Sequence, residues 1–389
     1  MLVLVNAVGV KMGGGANDLA ALVAELRTSQ TEHRFLFFVA GEQADVGGVL
    51  PDSMQWRVTR VGAGSWLGRL WWDQVTLRRW LKREQADVLF SFSDFGTFRC
   101  PVPQLLFVRN SLPFSELFQR HILPRKGWRF RLLYRLRRWL VCRSVAAADA
   151  VLTPSASMLE MVRRAVSLPD SKGRVNYYGT SHPDPASRSA RDYSGPIRLL
   201  FPTYYADHKA FATALRGLRL LGQHHRARFL LVTTADPRWG LARSTSSWKQ
   251  DLTLLEELRC EDAIEVLGLL PRDRLLALYK ECHVLCYPTL TESFGQPLVE
   301  AMAAGLPVAA SDIPVNRELA RDAALYFDPL NAEQFAARVE EIVKDATLRV
   351  ALQNRGRRYA QEFSWVRHTE KLIRCLEELS DGTEPHLRS

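Results

Sequence analysis

The sequence predicts an α/β protein of two doubly wound, Rossmann-like domains. Two observations predict it. Short apolar runs of strand length alternate with stretches of helical period through both halves of the chain. A polar stretch rich in Pro and Ser, Thr180 to Pro196, separates the two series. A length of 389 residues suits two domains. Hydrophobic residues make up 47% and charged residues 24%, so wholesale disorder and fibrous repeats are excluded.

In the first half the expected strands are Leu2–Val5, Arg34–Val39, Gln55–Arg60, Val88–Phe92, Gln104–Phe107 and Ala150–Thr153, with helical stretches such as Asp18–Thr28 and Leu70–Glu84 between them. The apolar N-terminus reads as a first strand, because it lacks the basic flank and cleavage site of a signal peptide. In the second half the expected order begins with strand Ile197–Phe201, helix Lys209–Gln223 and strand Arg228–Thr233. After a polar loop come strand Ala263–Leu267, helix Arg272–Lys280, strand Val284–Tyr287, helix Gln296–Ala304, and strands Pro307–Ala310 and Ala324–Phe327. Helices Ala332–Lys344, Ala346–Glu362 and Trp365–Leu379 close the chain. The expected organisation is a first domain over 1–180, a linker over 181–196, a second domain over 197–365, and a last helix and tail over 366–389 returning towards the first domain. Ligands of such sheets bind at the carboxyl ends of strands, so a cleft between the two halves is expected.

No apolar run approaches the ~18 residues of a membrane span. The six cysteines are scattered, which suits free thiols in a reducing compartment. Cys282, His283 and Cys286 fall in a run whose Val284, Leu285 and Tyr287 make it a buried strand rather than a metal site. The net charge of +10 is local: Arg99 to Arg143 holds 11 Lys/Arg and one acid, Glu116. Such a patch implies an anionic partner: membrane surface, nucleic acid or phosphorylated substrate.

The segment from Pro288 to Val308 carries the most information. A strand ends at Tyr287-Pro288, and a polar loop runs to Gly295. A helix then starts at Gln296, with Pro297 in its first turn, where a missing N–H costs nothing. Gly305 and Pro307 stop it. The N–H groups near Ser293–Gly295 therefore face out of a helix N-terminus at a strand's carboxyl end, a site suited to phosphate. Glu292 in the loop and Glu300 on the helix would repel phosphate, so they suit hydrogen bonds from sugar hydroxyls; read singly, each is equally a solvated surface acid.

Glu292-Ser-Phe-Gly, Glu300-Ala-Met-Ala-x-Gly and Leu306-Pro-Val resemble the Glu-x7-Glu motif of the family-4 retaining glycosyltransferases, which have the GT-B fold. Val266-Leu-Gly268, Val151-Leu-Thr-Pro-Ser155, Phe363-Ser-Trp365 and Gly13-Gly-Gly15 extend the resemblance along most of the chain. It implies that Glu300 binds the ribose of a nucleotide-sugar and that Glu292 lies by the donor sugar. It implies further that the Ser293, Phe294 and Gly295 backbone faces sugar and diphosphate, and that Leu267 and Gly268 contact the base. Lys209 matches a cation that neutralises the leaving diphosphate. Where the family commonly has an Arg, this chain has Thr203, and His208 is a candidate to compensate. Where many relatives have a His at the end of a first-domain strand, the nearest match is Asn110, with Arg109 the nearest charge. Asn110 can hold a sugar hydroxyl but cannot act as a base. Arg109 could pair with an acceptor phosphate. Gly13, Gly14 and Gly15 resemble the family's glycine loop and do not fit G-x-G-x-x-G, which lowers a dehydrogenase reading.

The stretch Arg125 to Arg143 has eight cations and no acid. At helical period Trp128, Leu132, Leu133, Leu136, Trp139 and Leu140 share one face and Arg131, Arg135 and Arg138 the other. A basic amphipathic helix with Trp suits a membrane surface. The alternative is a helix whose apolar face packs in the core. No nucleic-acid module is present.

The expected protein is a retaining glycosyltransferase taking a nucleotide-sugar as co-substrate, with no other cofactor and no metal. The expected acceptor is a hydroxyl of a lipid-linked or cell-envelope glycan, and the expected location cytoplasmic, on the inner face of a membrane. The alternatives are a sugar-nucleotide epimerase of the same fold and a membrane-associated binding subunit with weakened catalysis.

Overall fold

The computed structural model describes residues 1–10, 14–29, 31–41, 50–59, 61, 66–180, 191–224, 229–236 and 248–382. The chain divides into two compact units. The first comprises Met1–Phe114, Leu132–Gly179 and the segment from Ser364 on; the second comprises Ser115–Arg131 and Thr180–Phe363. In this division a piece of the first half, Ser115–Arg131, counts with the second unit.

Among the described residues the first unit builds a seven-stranded parallel sheet. Its strands are β1 (Leu2–Asn6), β2 (Arg34–Ala40), β3 (Met54–Thr59), β4 (Val88–Ser91), β5 (Gln104–Phe107), β6 (Ala150–Thr153) and β7 (Gly173–Val175), in the order β3-β2-β1-β4-β5-β6-β7. Leu4 pairs with Leu36 on one side and Leu89 on the other, all buried. The strands of a covered parallel sheet are buried on both faces, hence their nearly continuous apolar runs. Helix α1 (Gly14–Thr28) buries Leu19, Leu22, Val23 and Leu26 at helical period.

The stretch expected as one helix over Leu70–Glu84 is broken. Helix α2 (Trp66–Trp71) passes through a π-helical turn, Trp72–Thr76, into α3 (Leu77–Arg83). The wider turn carries the buried Trp72 and Asp73; the Trp72 indole donates to Asn6 at 3.2 Å, and the Asn6 amide to Asp73 at 2.8 Å. Helices α4 (Trp128–Ala147) and α5 (Ala156–Val166) complete the middle of the chain, with Ser155 capping α5 by accepting from the Met158 N–H.

The second unit has a six-stranded parallel sheet among its described residues: β8 (Ile197–Phe201), β9 (Phe229–Thr233), β10 (Ile264–Val266), β11 (Val284–Tyr287), β12 (Val308–Ser311) and β13 (Ala324–Phe327), ordered β10-β9-β8-β11-β12-β13. Its helices are α6 (Phe211–His224), α7 (Trp248–Leu258), α8 (Arg272–Glu281), α9 (Gln296–Ala303), α10 (Pro314–Ala320), α11 (Ala332–Lys344) and α12 (Ala346–Ala360). The sequence pattern missed β7, α5, α7 and α10. The three residues of β7 include Gly173 and Arg174, which leaves no period to read, and α10 is only seven residues long.

Of the expected linker, 181–190 lie outside the described residues. Arg191 is not free chain: its guanidinium donates to the carbonyls of Cys282, Gly305 and Tyr279 at 2.7–2.9 Å. The fork thus satisfies carbonyls just past the ends of α8 and α9 and on the last turn of α8.

The last helix, α13 (Trp365–Asp381), belongs to the first unit, where it packs on α1 and reaches β4 and β5. The Asn176 amide donates to the His368 carbonyl at 3.0 Å, and the rings of Tyr178, Trp365 and His368 lie together. Gly179 makes the approach possible, since a Cβ there would sit 2.2 Å from the Trp365 backbone nitrogen. Gly179→Ala is expected to cost about 1–3 kcal/mol through overpacking against backbone. The urea midpoint should fall accordingly, whereas Gly14→Ala, with open space around its Cβ position, should leave it nearly unchanged.

Candidate functional site

In each sheet the strand order reverses direction once, between β1 and β4 in the first unit and between β8 and β11 in the second. The crevice at the carboxyl ends of two such strands is where open α/β sheets bind ligands. Both crevices hold buried charge.

In the second unit the loop after β8 ends in a short 3-10 turn, Asp207–Lys209, and the loop after β11 runs from Pro288 to Gly295. Lys209 Nζ lies 2.5 Å from Glu292 Oε1, with both side chains nearly enclosed. Thr289 Oγ1 donates to the same carboxylate oxygen at 2.9 Å, and the Leu290 N–H donates to the His208 carbonyl at 2.8 Å. The loops are thus stitched together by main chain and side chain. Burial alone would raise the Glu292 pKa and lower that of Lys209. The attraction between them outweighs it, so Glu292 is held below and Lys209 above its ordinary value, and both are charged. His208 is different: burial, with the Lys209 charge beside it, lowers it to about 4. It is neutral at ordinary pH and adds no cation to replace the expected Arg. Thr203 adds none either; its N–H donates to Thr234 Oγ1, and its hydroxyl to the Tyr204 carbonyl.

Gly295 precedes α9 with φ of 102°, a conformation only glycine adopts without strain. Ser293, Phe294 and Gly295 lead into the helix N-terminus as the sequence predicts. Glu300, one turn in and 3% exposed, accepts from the Tyr279 hydroxyl at 2.8 Å and lies 2.5 Å from Arg272. Sequence reasoning missed both partners, since α8 carries no motif. Leu267 donates its N–H to Thr233, and Gly268 turns the chain with φ of 69° at the carboxyl end of β10. Lys209 and Glu292 are brought into contact, while Glu300 has its own partners on α8. Sequence reasoning also missed Lys126, whose ammonium pairs with Asp207 while both are nearly enclosed.

In the first unit the expected acceptor-side residues are differently used. Gly13 lies outside the described residues, and Gly14 and Gly15 open α1. Arg109 does not offer its guanidinium to a ligand phosphate in this structure. It lies 2.5 Å from Asp18, donates to the Tyr178 hydroxyl at 2.7 Å, and sits over the Phe92 ring. A Cβ on Gly15 would come within 3.3 Å of it. The Asn110 side-chain oxygen Oδ1 accepts from the Leu112 N–H, closing a local turn. The charge at the crevice is instead Arg69, 2.7 Å from the buried Asp73 and bonded to Ser93. Its enclosed Nη1 has no hydrogen-bond partner and points at Gly9.

The core-packed alternative for the basic helix α4 does not hold: on its apolar face Trp128 is 64% exposed, Leu132 59% and Trp139 54%. Tyr134, Arg138, Val141 and Val145 face inward, with the Tyr134 hydroxyl bonded to the Leu112 carbonyl and Arg138 to that of Pro113. Arg131 and Arg135 stay exposed; Arg138 does not join them, because its guanidinium caps a loop. No described helix is long and apolar enough to cross a membrane.

Two parallel sheets, each with a charged cluster at its switch point, define an α/β protein of GT-B architecture. Residues 12–182 match the family described as Glycosyltransferase Family 4, and residues 190–359 match Glycosyl transferases group 1. The chain belongs to these GT-B glycosyltransferases of family 4 and group 1. It is 30% identical over 159 residues to O-antigen chain mannosyltransferase B of Escherichia coli, covering 41% of this chain and 40% of that protein. It is 25% identical over 206 residues to O-antigen chain mannosyltransferase RfbU of Salmonella typhimurium, covering 53% and 54%. The matches thus span about half of those relatives' length or less. Among solved structures, sucrose-phosphate synthase from Thermosynechococcus elongatus superposes with a TM-score of 0.75 at 16% identity, over 98% of this chain and 100% of that one. WaaG, a glycosyltransferase involved in lipopolysaccharide biosynthesis, gives 0.71 at 17%, over 96% and 99%. These likenesses show the fold.

The buried histidines give a pH prediction. His368, like His208, is lowered to about 4 by burial. Between pH 6.5 and 4 the unfolded chain therefore takes up protons that the folded chain does not, and stability falls as pH falls. Each histidine contributes up to roughly 2–3 kcal/mol across that window. Urea midpoints should drop steadily from pH 6.5 to 4.5, and His368→Phe should flatten the slope. A slope unchanged in that variant would remove His368 as a source.

Proposed function

We propose that the protein is a retaining glycosyltransferase that moves a sugar from a nucleotide-sugar to a hydroxyl of a lipid-linked or cell-envelope glycan, without a metal. The observation that carries the reading is the Lys209–Glu292 pair at the β8/β11 switch point, beside the Gly295 entry to α9. The O-antigen mannosyltransferase relatives support the acceptor class.

Glu292 keeps Lys209 charged. A donor diphosphate placed at the α9 N-terminus competes for that ammonium and frees the Glu292 carboxylate to accept from the donor sugar. Negative charge grows on the diphosphate as the glycosidic bond breaks, so a fixed cation and helix N–H groups favour the transition state over the ground state. The acceptor attacks from the face the diphosphate leaves, and the leaving phosphate oxygen takes its proton. Glu300, oriented by Tyr279 and Arg272, accepts from the ribose hydroxyls.

Lys209→Ala is then expected to lower turnover about a hundredfold with little change in donor binding. Glu300→Ala should weaken donor binding roughly ten- to hundredfold. Calorimetry with UDP- and GDP-sugars, and turnover with and without EDTA, check both. Loss of activity in EDTA, restored by a divalent ion, would overturn the metal-free scheme. Donor turnover without any acceptor would favour an epimerase.

The exposed face of α4 supports attachment to the inner face of a membrane: Trp128, Leu132, Leu136 and Trp139 insert among headgroups while Arg131 and Arg135 meet anionic lipid. Each such cation contributes on the order of 1 kcal/mol. Co-sedimentation with vesicles should rise with anionic lipid and fall with salt. Arg131→Gln with Arg135→Gln should weaken it, Trp128→Ser with Trp139→Ser should weaken it further, and Arg138→Gln should act through stability alone. Equal binding to neutral and anionic vesicles would reject the attachment.

A further inference from the structure

The turn that presents Lys209 is only three residues long and carries two opposite charges in succession, Asp207 and Lys209, around the neutral His208. An acid two residues from the lysine is a rival counter-ion for it. The structure keeps the two charges on separate partners. Lys209 goes to Glu292. Asp207 goes to Lys126, which arrives from a segment 81 positions earlier in the chain. The side chains of Lys126 and Asp207 are 5% and 9% exposed, so this is a buried pair and not a surface contact. Its surroundings are built for it. Phe118 and Ile122 are buried in the helical turn Phe118–Ile122, which packs on the Asp207–Lys209 turn. The Lys126 N–H bonds to the Leu123 carbonyl, and its ammonium lies 4.9 Å from the centre of the Phe130 ring.

From this geometry we infer that Lys126 is a positioning residue for Lys209: by holding Asp207 it fixes the turn and leaves the Lys209 ammonium to Glu292 and the donor diphosphate. This rests on the role proposed above for Lys209. The physical basis is the cost of buried charge. Removing one member of an enclosed ion pair leaves the other to seek a new partner. An Asp207 carboxylate without its cation is drawn towards Lys209, and the turn shifts with it. The turn is held on its other sides by the Leu290 N–H on the His208 carbonyl and by the Lys209 N–H on the Ala206 carbonyl, so those two amides report its geometry. Lys126 lies two residues before α4, the helix with the exposed apolar and basic face.

The test uses the full chain and the variants Lys126→Gln, Lys126→Arg, and the exchange Lys126→Asp with Asp207→Lys. Turnover is measured against donor concentration. Amide hydrogen exchange is followed in peptides covering 203–212 and 288–292. Lys126→Gln is expected to lower kcat tenfold or more, to change the donor KM less than threefold, and to speed exchange at Lys209 and Leu290 by tenfold or more. Lys126→Arg, and the exchange of charges, should recover most of kcat and of the protection. Unchanged kcat and unchanged exchange in Lys126→Gln would overturn the inference. So would a loss of kcat with the Lys209 and Leu290 amides still protected, which would make Lys126 a direct ligand of the diphosphate. Should Lys209→Ala leave turnover intact, the proposed role of Lys209 fails, and the exchange data alone still decide whether Lys126 holds the turn.

Discussion

The pairing of Lys209 with Glu292 is the contact on which the second unit's crevice depends. Each charge taken from water alone would cost several kcal/mol, and removing one partner of such a pair costs about 3–5 kcal/mol. The pair persists because each group is otherwise supported. Thr289 donates to the carboxylate, and the loop behind it is bonded to the His208 carbonyl. The result is a cation that stays charged although nearly enclosed, placed by loops from two neighbouring strands. Neither loop could hold it by itself.

The first unit meets the same constraint with a different outcome. At its switch point Asp73 is buried more deeply than Glu292, its side chain 2% exposed against 13%, and also faces a cation, Arg69. Here burial prevails over the Arg69 charge and the bonds from Arg69 and Asn6, and the Asp73 pKa is raised. In the second unit Lys209 and the neighbouring donors prevail, and the Glu292 pKa is lowered. Arg109 shows a third arrangement. Enclosed by Phe92, Asp18 and Tyr178, it ties the strand-end loop after β5 to α1 and the 176–179 segment, so a residue with the chemistry of a phosphate ligand serves as a brace.

Two chain segments are built into the unit other than the one their sequence position suggests. Ser115–Arg131 counts with the second unit, where Lys126 meets Asp207, and α13 counts with the first, where it covers α1 and the β4 and β5 ends. Both depend on small or buried groups that carry no periodic signal. For α13 it is Gly179, which admits the Trp365 backbone; for 115–131 it is one lysine in a run of cations.

The sequence by itself determined the strands of both sheets except β7, because a central strand covered on both faces is apolar along most of its length. It determined the start and stop of α9, because Gly295, Pro297 and Gly305 each suit only a few backbone conformations. It also singled out Lys209, Glu292 and Glu300 as candidate site residues, because a motif is local. Only the tertiary structure decided what those residues touch. Helical period divides α4 into faces but cannot say which stripe the protein covers; Tyr134, Arg138, Val141 and Val145 face inward because loop carbonyls at 112 and 113 need donors, and the richer apolar face is left outside. The partners of Glu300 on α8, the enclosure of Arg109 and the reach of Lys126 to Asp207 join residues 21 to 91 positions apart. Such contacts follow from how strands and helices stack, and no spacing along the chain encodes them.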